Sequence, residues 1–299
     1  MTRKDTMRLV RRRTAWLIAV AIVAILLVAG VTTALVRAKS DDPVANGCGL
    51  PTAAPQTPAV PASEAPGGGG VKVTETAFSP TEGDNGVGMA AVVQNTSKAQ
   101  VAYRTTVTFA MTTPAGQNAL YPDAGPDMVI VIPVLLPGEH LGVANWAGLY
   151  PDSQGTPAAP GTMTVTVSST HWIDRDTDEG RIFQPVGTKN KGIQRTDPEK
   201  PTVGNARVLV TSSYCRAVGR HGVALLFRDA GGRLIGGTRI VDASISLCRP
   251  GTRVDGDSAR TIQGIPTAAD LDRTETYAYC DIVEPPAEPS GSPIGINYV

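Results

Sequence analysis

Three observations on this 299-residue chain predict an all-β fold. Tyr103, Thr105, Val107, Phe109 and Met111 alternate with Arg104, Thr106, Thr108, Ala110 and Thr112, the period of two that puts successive side chains on opposite faces of a strand. Past residue 40 no stretch sustains an apolar stripe of helical period between caps, and Val, Thr and Gly dominate. The chain also resembles itself: at an offset of 118, Pro80 falls on Pro198, Gly86 on Gly204 and Phe109 on Phe227. Further along the offset is 113, and Pro137-Gly138 falls on Pro250-Gly251. Two tandem β-sandwiches of about 100 residues each are the expectation.

Residues 1–14 are basic, with Arg3, Lys4, Arg8, Arg11, Arg12 and Arg13 against Asp5 alone. The uncharged apolar run 15–36 has the length of a transmembrane helix, about 30 Å at about 1.5 Å per residue. The basic flank predicts a cytoplasmic N-terminus, so everything after residue 40 is expected outside the cell membrane. A cleaved signal peptide normally has a shorter apolar core, which favours an uncleaved anchor. Residues 37–70, with six prolines from Pro43 to Pro66 and then Gly67 to Gly70, read as a disordered Pro/Ala/Gly-rich linker. Residues 71–172 are expected to form the first sandwich. Residues 173–284 are expected to form a connector and the second sandwich, with 285–299 a disordered tail.

Charge and residue usage exclude several functions. Residues 1–40 hold eight of the 27 basic residues and one of the 27 acids, so the remainder is acidic by about seven charges. A nucleic-acid partner needs a basic stripe to neutralise phosphates, none is present, and no nucleic-acid partner is expected. Only three histidines occur, and no G-x-S-x-G, H-E-x-x-H or P-loop motif is present. Neither an enzyme nor a cofactor is indicated. Cys48, Cys215, Cys248 and Cys280 lack C-x-x-C spacing and read as structural disulfides of an oxidising compartment.

Certain segments resemble a known family. Gly88 leads to Asn95-Thr96-Ser97 at a strand end. A long strand closes in Leu225-Leu226-Phe227-Arg228-Asp229 before Gly231-Gly232, and a Pro-Gly turn follows. This order is similar to the FxLYD-type bacterial immunoglobulin-like domains, with the motif's Asp kept and its Tyr absent. The resemblance implies immunoglobulin-like sandwiches in a non-catalytic cell-surface module. The inter-sheet bridge of such sandwiches joins the second and penultimate strands, which implies a Cys215–Cys280 disulfide. Cys248 is then left over, with Cys48 as its most available partner.

Few groups suggest ligand chemistry. Asp174, Asp176 and Asp178 have the D-x-D-x-D spacing of a calcium loop, but Glu179 and Pro185 occupy the positions where an EF-hand needs Gly and Glu. A solvated connector is the plainer expectation, with no metal bound. Val129 to Leu136 is apolar on both faces, and Pro133 points to an edge or a bulge. Trp146 with Tyr150, and Trp172, are either buried aromatics or sugar platforms, while His140, His171 and His221 suggest ordinary surface roles. The functional expectation is a membrane-anchored extracytoplasmic protein in a binding or scaffold role, held in the lipid bilayer by its N-terminal helix. Its partner is an unidentified envelope protein or glycan. A cell-wall glycan-binding or modifying protein and a sensor or accessory subunit of a membrane complex are the alternatives.

Overall fold

The computed structural model describes residues 50, 55, 57–81, 85–121, 128–151, 156–240, 247–248, 250–254 and 260–282. The basic segment 1–14, the apolar run 15–36 and the tail 285–299 lie outside the described residues. Among the described residues no helix is long and apolar enough to cross a membrane. The fold is all-β and sandwich-like. Its first half holds β1 (Val60–Pro61), β2 (Val71–Thr81), β3 (Gly86–Asn95), β4 (Gln100–Thr112), β5 (Met128–Leu135), β6 (His140–Gly148), β7 (Thr162–Val167) and β8 (Ser169–Asp174). After a single helical turn, α1 (Asp178–Arg181), come β9 (Val186–Arg195), β10 (Gly204–Ser212), β11 (Val218–Arg228) and β12 (Leu234–Ile240). The chain continues through β13 (Leu247–Cys248), β14 (Gly251–Val254), β15 (Arg260–Ile262) and β16 (Asp270–Asp281).

Among the described residues every ladder joins strands of the same half, and the two halves repeat one pattern. In the first, β2-β3-β6 form one sheet, while β4 is flanked by β5 on one edge and by β7 and β8 on the other. In the second, β9 and the β14–β15 pair flank β10, and β12 and β16 flank β11. The residues that carried the sequence repeat occupy matching places. Gly86 and Gly204 open β3 and β10, and Phe109 and Phe227 are fully buried in β4 and β11.

Packing, unlike pairing, crosses between the halves. In β3 the odd-numbered Val87, Met89, Ala91 and Val93 and the even-numbered Ala90 and Val92 are all buried, so the β2-β3-β6 sheet is covered on both faces. One face meets Val107, Phe109, Ile130 and Ile132 of the β4 sheet in the first core. The other meets β11, β12 and β16 of the second half, whose Ala224, Leu226, Leu234 and Tyr279 complete that same core. The opposite face of β11, carrying Val223, Leu225 and Phe227, packs on Ala206, Val208 and Val210 of β10 in a second core. Four sheets are thus stacked, and the two middle ones touch through small residues. A Cβ on Gly237 would approach the Leu225 carbonyl oxygen to 2.7 Å and the Cβ atoms of Ala144 and Ala90 to 2.8 and 2.9 Å. A Cβ on Gly142 would strike the Tyr277 ring at 2.4 Å. Such backbone proximity explains why β3 and β12 read Gly-Val-Gly-Met-Ala-Ala and Gly-Gly-Thr rather than as alternating strands.

The linker expectation for 37–70 is corrected over its final stretch. Thr57 to Gly70 belongs to the fold: β1 pairs with β8, Ala62 and Ala65 are buried, and the Val71 amide donates to the Ala62 carbonyl. Gly67, Gly68 and Gly69 adopt positive φ in a turn, and the Thr96 hydroxyl both accepts from Gly70 N and donates to its carbonyl oxygen at 3.0 and 2.8 Å. Composition misleads here because this strap needs almost no apolar surface of its own. It lies on a core supplied by other strands.

Because each half completes the other's core, residues 57–282 are expected to unfold in one calorimetric transition. Gly237→Val, which overpacks the middle layers, should cost about 1–3 kcal/mol and lower that single midpoint by several degrees. Gly187→Val, at a position with no neighbour within 4 Å, should leave it nearly unchanged. Two separate transitions in the unmodified protein would contradict the shared packing.

Candidate functional site

The junction of the halves is organised by a crease in the first half's outer sheet. From Thr105 to Met111 the odd-numbered residues of β4 face the first core, but Ala102 faces it too, while Val101 and Tyr103 enter the second core. The reversal occurs at Arg104, whose φ of 51° is the left-handed conformation that non-glycine residues seldom adopt. Across the ladder Tyr103 pairs with Val134 and Thr105 with Ile132, so Pro133 lies opposite Arg104 and leaves no amide to pair there. The crease sends Tyr103 toward the last strand. Its hydroxyl donates to Asp281 Oδ1 at 2.8 Å, and Arg104 Nε donates to Oδ2 of the same carboxylate at 3.1 Å. Asp281 is 1% exposed, and the Arg104 guanidinium also lies 5.2 Å from the Tyr103 ring centre. Burial first, and then the Asp281 charge, push the Tyr103 phenol well above its ordinary range. A second cross-link lies at β2, where Arg228 donates to Glu75 at 2.8 Å and to Glu275 at 2.7 Å. The hydrogen bond and charge of Arg228 hold the Glu75 carboxyl below its ordinary range.

Beside this junction a cleft of about 290 Å³ is lined by Leu50, α1, Gln184 and the β10–β11 loop from Ser213 to Cys215. The Tyr214 phenol is buried here, and desolvation pushes its pKa up to about 12. The acidic stretch forms the cleft's rim, with its carboxylates turned to local uses. Asp174 Oδ1 accepts the Asp176 amide at 2.9 Å, and Thr177 caps α1 by accepting the Gly180 amide at 3.1 Å. Asp178 is exposed in the first helical turn, where negative charge is favoured, and faces Arg181 at 3.9 Å. Asp174, Asp176 and Asp178 do not converge, and among the described residues no three His, Cys, Asp or Glu side chains come together to hold a metal ion.

The expected Cys215–Cys280 bridge is corrected. Cys280 is bonded to Cys248, with Cα atoms 6.0 Å apart. The reason is register: Cys248 pairs with Val218 and Cys280 with Arg220, so both reach the same end of β11. Cys215 lies before β11 begins, on the cleft loop, and is itself disulfide-bonded. The topology-based inference erred by placing Cys215 at the end of a strand within reach of β16.

The remaining candidates divide by exposure. Trp172 is buried in the first core, and Trp146 is wedged against Gly86 and Gly264, where a Cβ on either would strike its ring at 2.4 and 2.5 Å. The ring of His171 faces the Thr57 carbonyl and so fastens the strap. β5, with β4 as its only described neighbour, is an edge strand whose Val129 and Val131 are 54% and 43% exposed. Tyr121 and Tyr150, 43% and 46% exposed, meet edge to face with ring centres 5.9 Å apart. Sequence reading missed Tyr121, because its pairing with Tyr150 depends on the contact between Leu120 and Leu149. No protein-family model matches this chain, and no curated protein is similar to it.

The buried phenols make alkaline stability a direct test. Tyr103, Tyr214, Tyr277 and Tyr279 are all pushed up, each by burial first. An unfolded tyrosine ionises near pH ~10. The folded pKa values lie above it, so the folded state retains protons the unfolded chain releases. Stability should therefore be full below pH ~10 and fall as pH rises beyond it. In a spectrophotometric titration these four tyrosines should ionise only together with the loss of the β-sheet circular dichroism signal. Complete phenolate formation in a chain that keeps that signal would refute the placement.

Proposed function

We propose that this chain is a single-pass membrane protein with its N-terminus in the cytoplasm and two immunoglobulin-like sandwiches outside. Its role is a non-catalytic one of binding or positioning other envelope components. The observation that carries the reading is oxidation on the folded side: Cys248 is bonded to Cys280 and Cys215 is also in a disulfide, as suits an extracytoplasmic compartment. The basic-then-apolar order of residues 1–36 supplies the anchor. Support for the immunoglobulin-like class comes from the strand order, in which the first, second and fifth principal strands of each half share a sheet and the fourth pairs with the third, as in variable-type domains. The FxLYD-type resemblance is part of this proposal; its Asp229 carboxylate accepts the Arg233 amide at 3.0 Å and closes the β11–β12 hairpin.

The test is fractionation of cells expressing the full chain. The protein should stay with membranes through alkaline carbonate, begin at residue 1 or 2, and lose its β domain to protease added outside the cytoplasmic membrane. Soluble material beginning near residue 35 or 39 would overturn the anchor.

The Tyr121–Tyr150 pair favours a second reading, a cell-wall glycan-binding module, since exposed aromatic faces stack on sugar rings. Under it, Tyr121→Ala with Tyr150→Ala should weaken retention on purified wall glycan by about fivefold or more, the equivalent of ~1 kcal/mol. Unchanged retention would discard that reading.

A further inference from the structure

Residues 57–282 hold 22 acidic against 19 basic residues, yet the four strands of one outer sheet contain no acid. β9, β10, β14 and β15 together read VGTKNKGIQR, GNARVLVTS, GTRV and RTI, six cations and no carboxylate. Their sheet is an outer layer of the stack, with Ala206, Val208 and Val210 facing the second core and the odd-numbered residues of β10 turned outward. Register brings three of the cations together on the outward face. Lys189 belongs to the pair Leu209–Lys189, and Arg207 pairs with Gly192 at a bulge whose extra residue is Lys191. Lys189, Lys191 and Arg207 are all exposed, and none forms an ion pair among the described residues. By contrast the cations at the junction and on β11, Arg104 and Arg228, are consumed by Asp281, Glu75 and Glu275.

We propose that this face binds a linear phosphodiester polymer of the cell envelope. The proposal rests on the extracytoplasmic reading for its setting, though not for its chemistry. Lys189 and Lys191 are two residues apart on β9, so their Cα atoms are separated by at most about 7 Å, a spacing suited to successive charges along a flexible polyol-phosphate chain. A guanidinium on the neighbouring strand adds a bidentate contact to a phosphate oxygen pair. A solvent-exposed sheet face lets the polymer lie across it, and the acidic remainder of residues 57–282 confines binding to this side. A bilayer surface fits less well. Interfacial binding combines cations with inserted apolar side chains, and among the described residues the exposed large apolar ones, Tyr121, Val129, Val131 and Tyr150, lie on the first half. For the same reason the face offers no aromatic platform for nucleobases.

The test is binding of the purified full chain in detergent to poly(glycerol phosphate), followed by light scattering or fluorescence anisotropy over a salt series. Expected is measurable binding whose logarithm falls with log salt at a slope of about −2, the release of counterions from three contacts at about 0.7 each. The triple variant Lys189→Glu, Lys191→Glu, Arg207→Glu should lower affinity at least tenfold. Lys72→Glu, Lys98→Glu, Lys200→Glu, which changes net charge equally on other exposed positions, should lower it less than threefold. Circular dichroism on both variants identifies any loss of fold, and acetylation of lysines on the native protein with polymer bound, showing Lys189 and Lys191 shielded, gives a readout independent of mutation. Equal losses in both variants, no binding, or tighter binding to anionic phospholipid vesicles or to single-stranded DNA than to the polymer would each overturn the proposal. A soluble, cleaved protein that still binds the polymer would remove the anchor reading and leave this one standing.

Discussion

The carboxylate of Asp281 holds together what the two halves exchange. It lies near the end of the last strand, accepts from Tyr103 and Arg104 of the first half, and is almost wholly excluded from water. A buried carboxylate is tolerable only when charge and hydrogen bonds replace its hydration, and breaking such a set leaves an uncompensated charge. The left-handed backbone at Arg104 is the local cost, of order 1–3 kcal/mol, and the rest of the junction must hold it in place. In return the crease places Val101 and Tyr103 in the second core, just as Ala224, Leu226, Leu234 and Tyr279 enter the first. Neither half has a complete core without the other.

This exchange bears on what the molecule can do. A pair of domains joined by a flexible connector would respond to a ligand by reorienting, whereas four stacked sheets with glycine-close middle layers resist bending. Asp174 to Arg181, the stretch most suggestive of a hinge or an ion site, is spent on capping one helical turn. Arg175 reinforces it by donating to the carbonyl oxygens of Gly180 and Phe183. The described residues present three separate surfaces: the β5 edge, the paired tyrosines and the cationic outer sheet. A rigid body presenting separate surfaces is suited to holding components at fixed separation, the scaffold role proposed for it.

The sequence determined the strand character, because alternation in β4 and β7 follows directly from the two-residue period of a pleated strand. It also determined the repeat, since equivalent turns and core positions demand equivalent residues: Gly86 and Gly204 open matching strands, and Phe109 and Phe227 fill matching places. The edge role of β5 was legible in Pro133, which cannot donate to a ladder. Other features depended on contacts between residues far apart in the chain. Which cysteine meets Cys280 was decided by where β13 and β16 align on β11, a matter of register that spacing does not encode. The glycine strap at residues 67–70 read as slack because its partner, Thr96, is distant in sequence. Lys189, Lys191 and Arg207 become one face only when β9 pairs with β10 through a bulge, so no basic stripe was visible along the chain. Composition and period report what each segment can bury, and only tertiary packing decides against what it is buried.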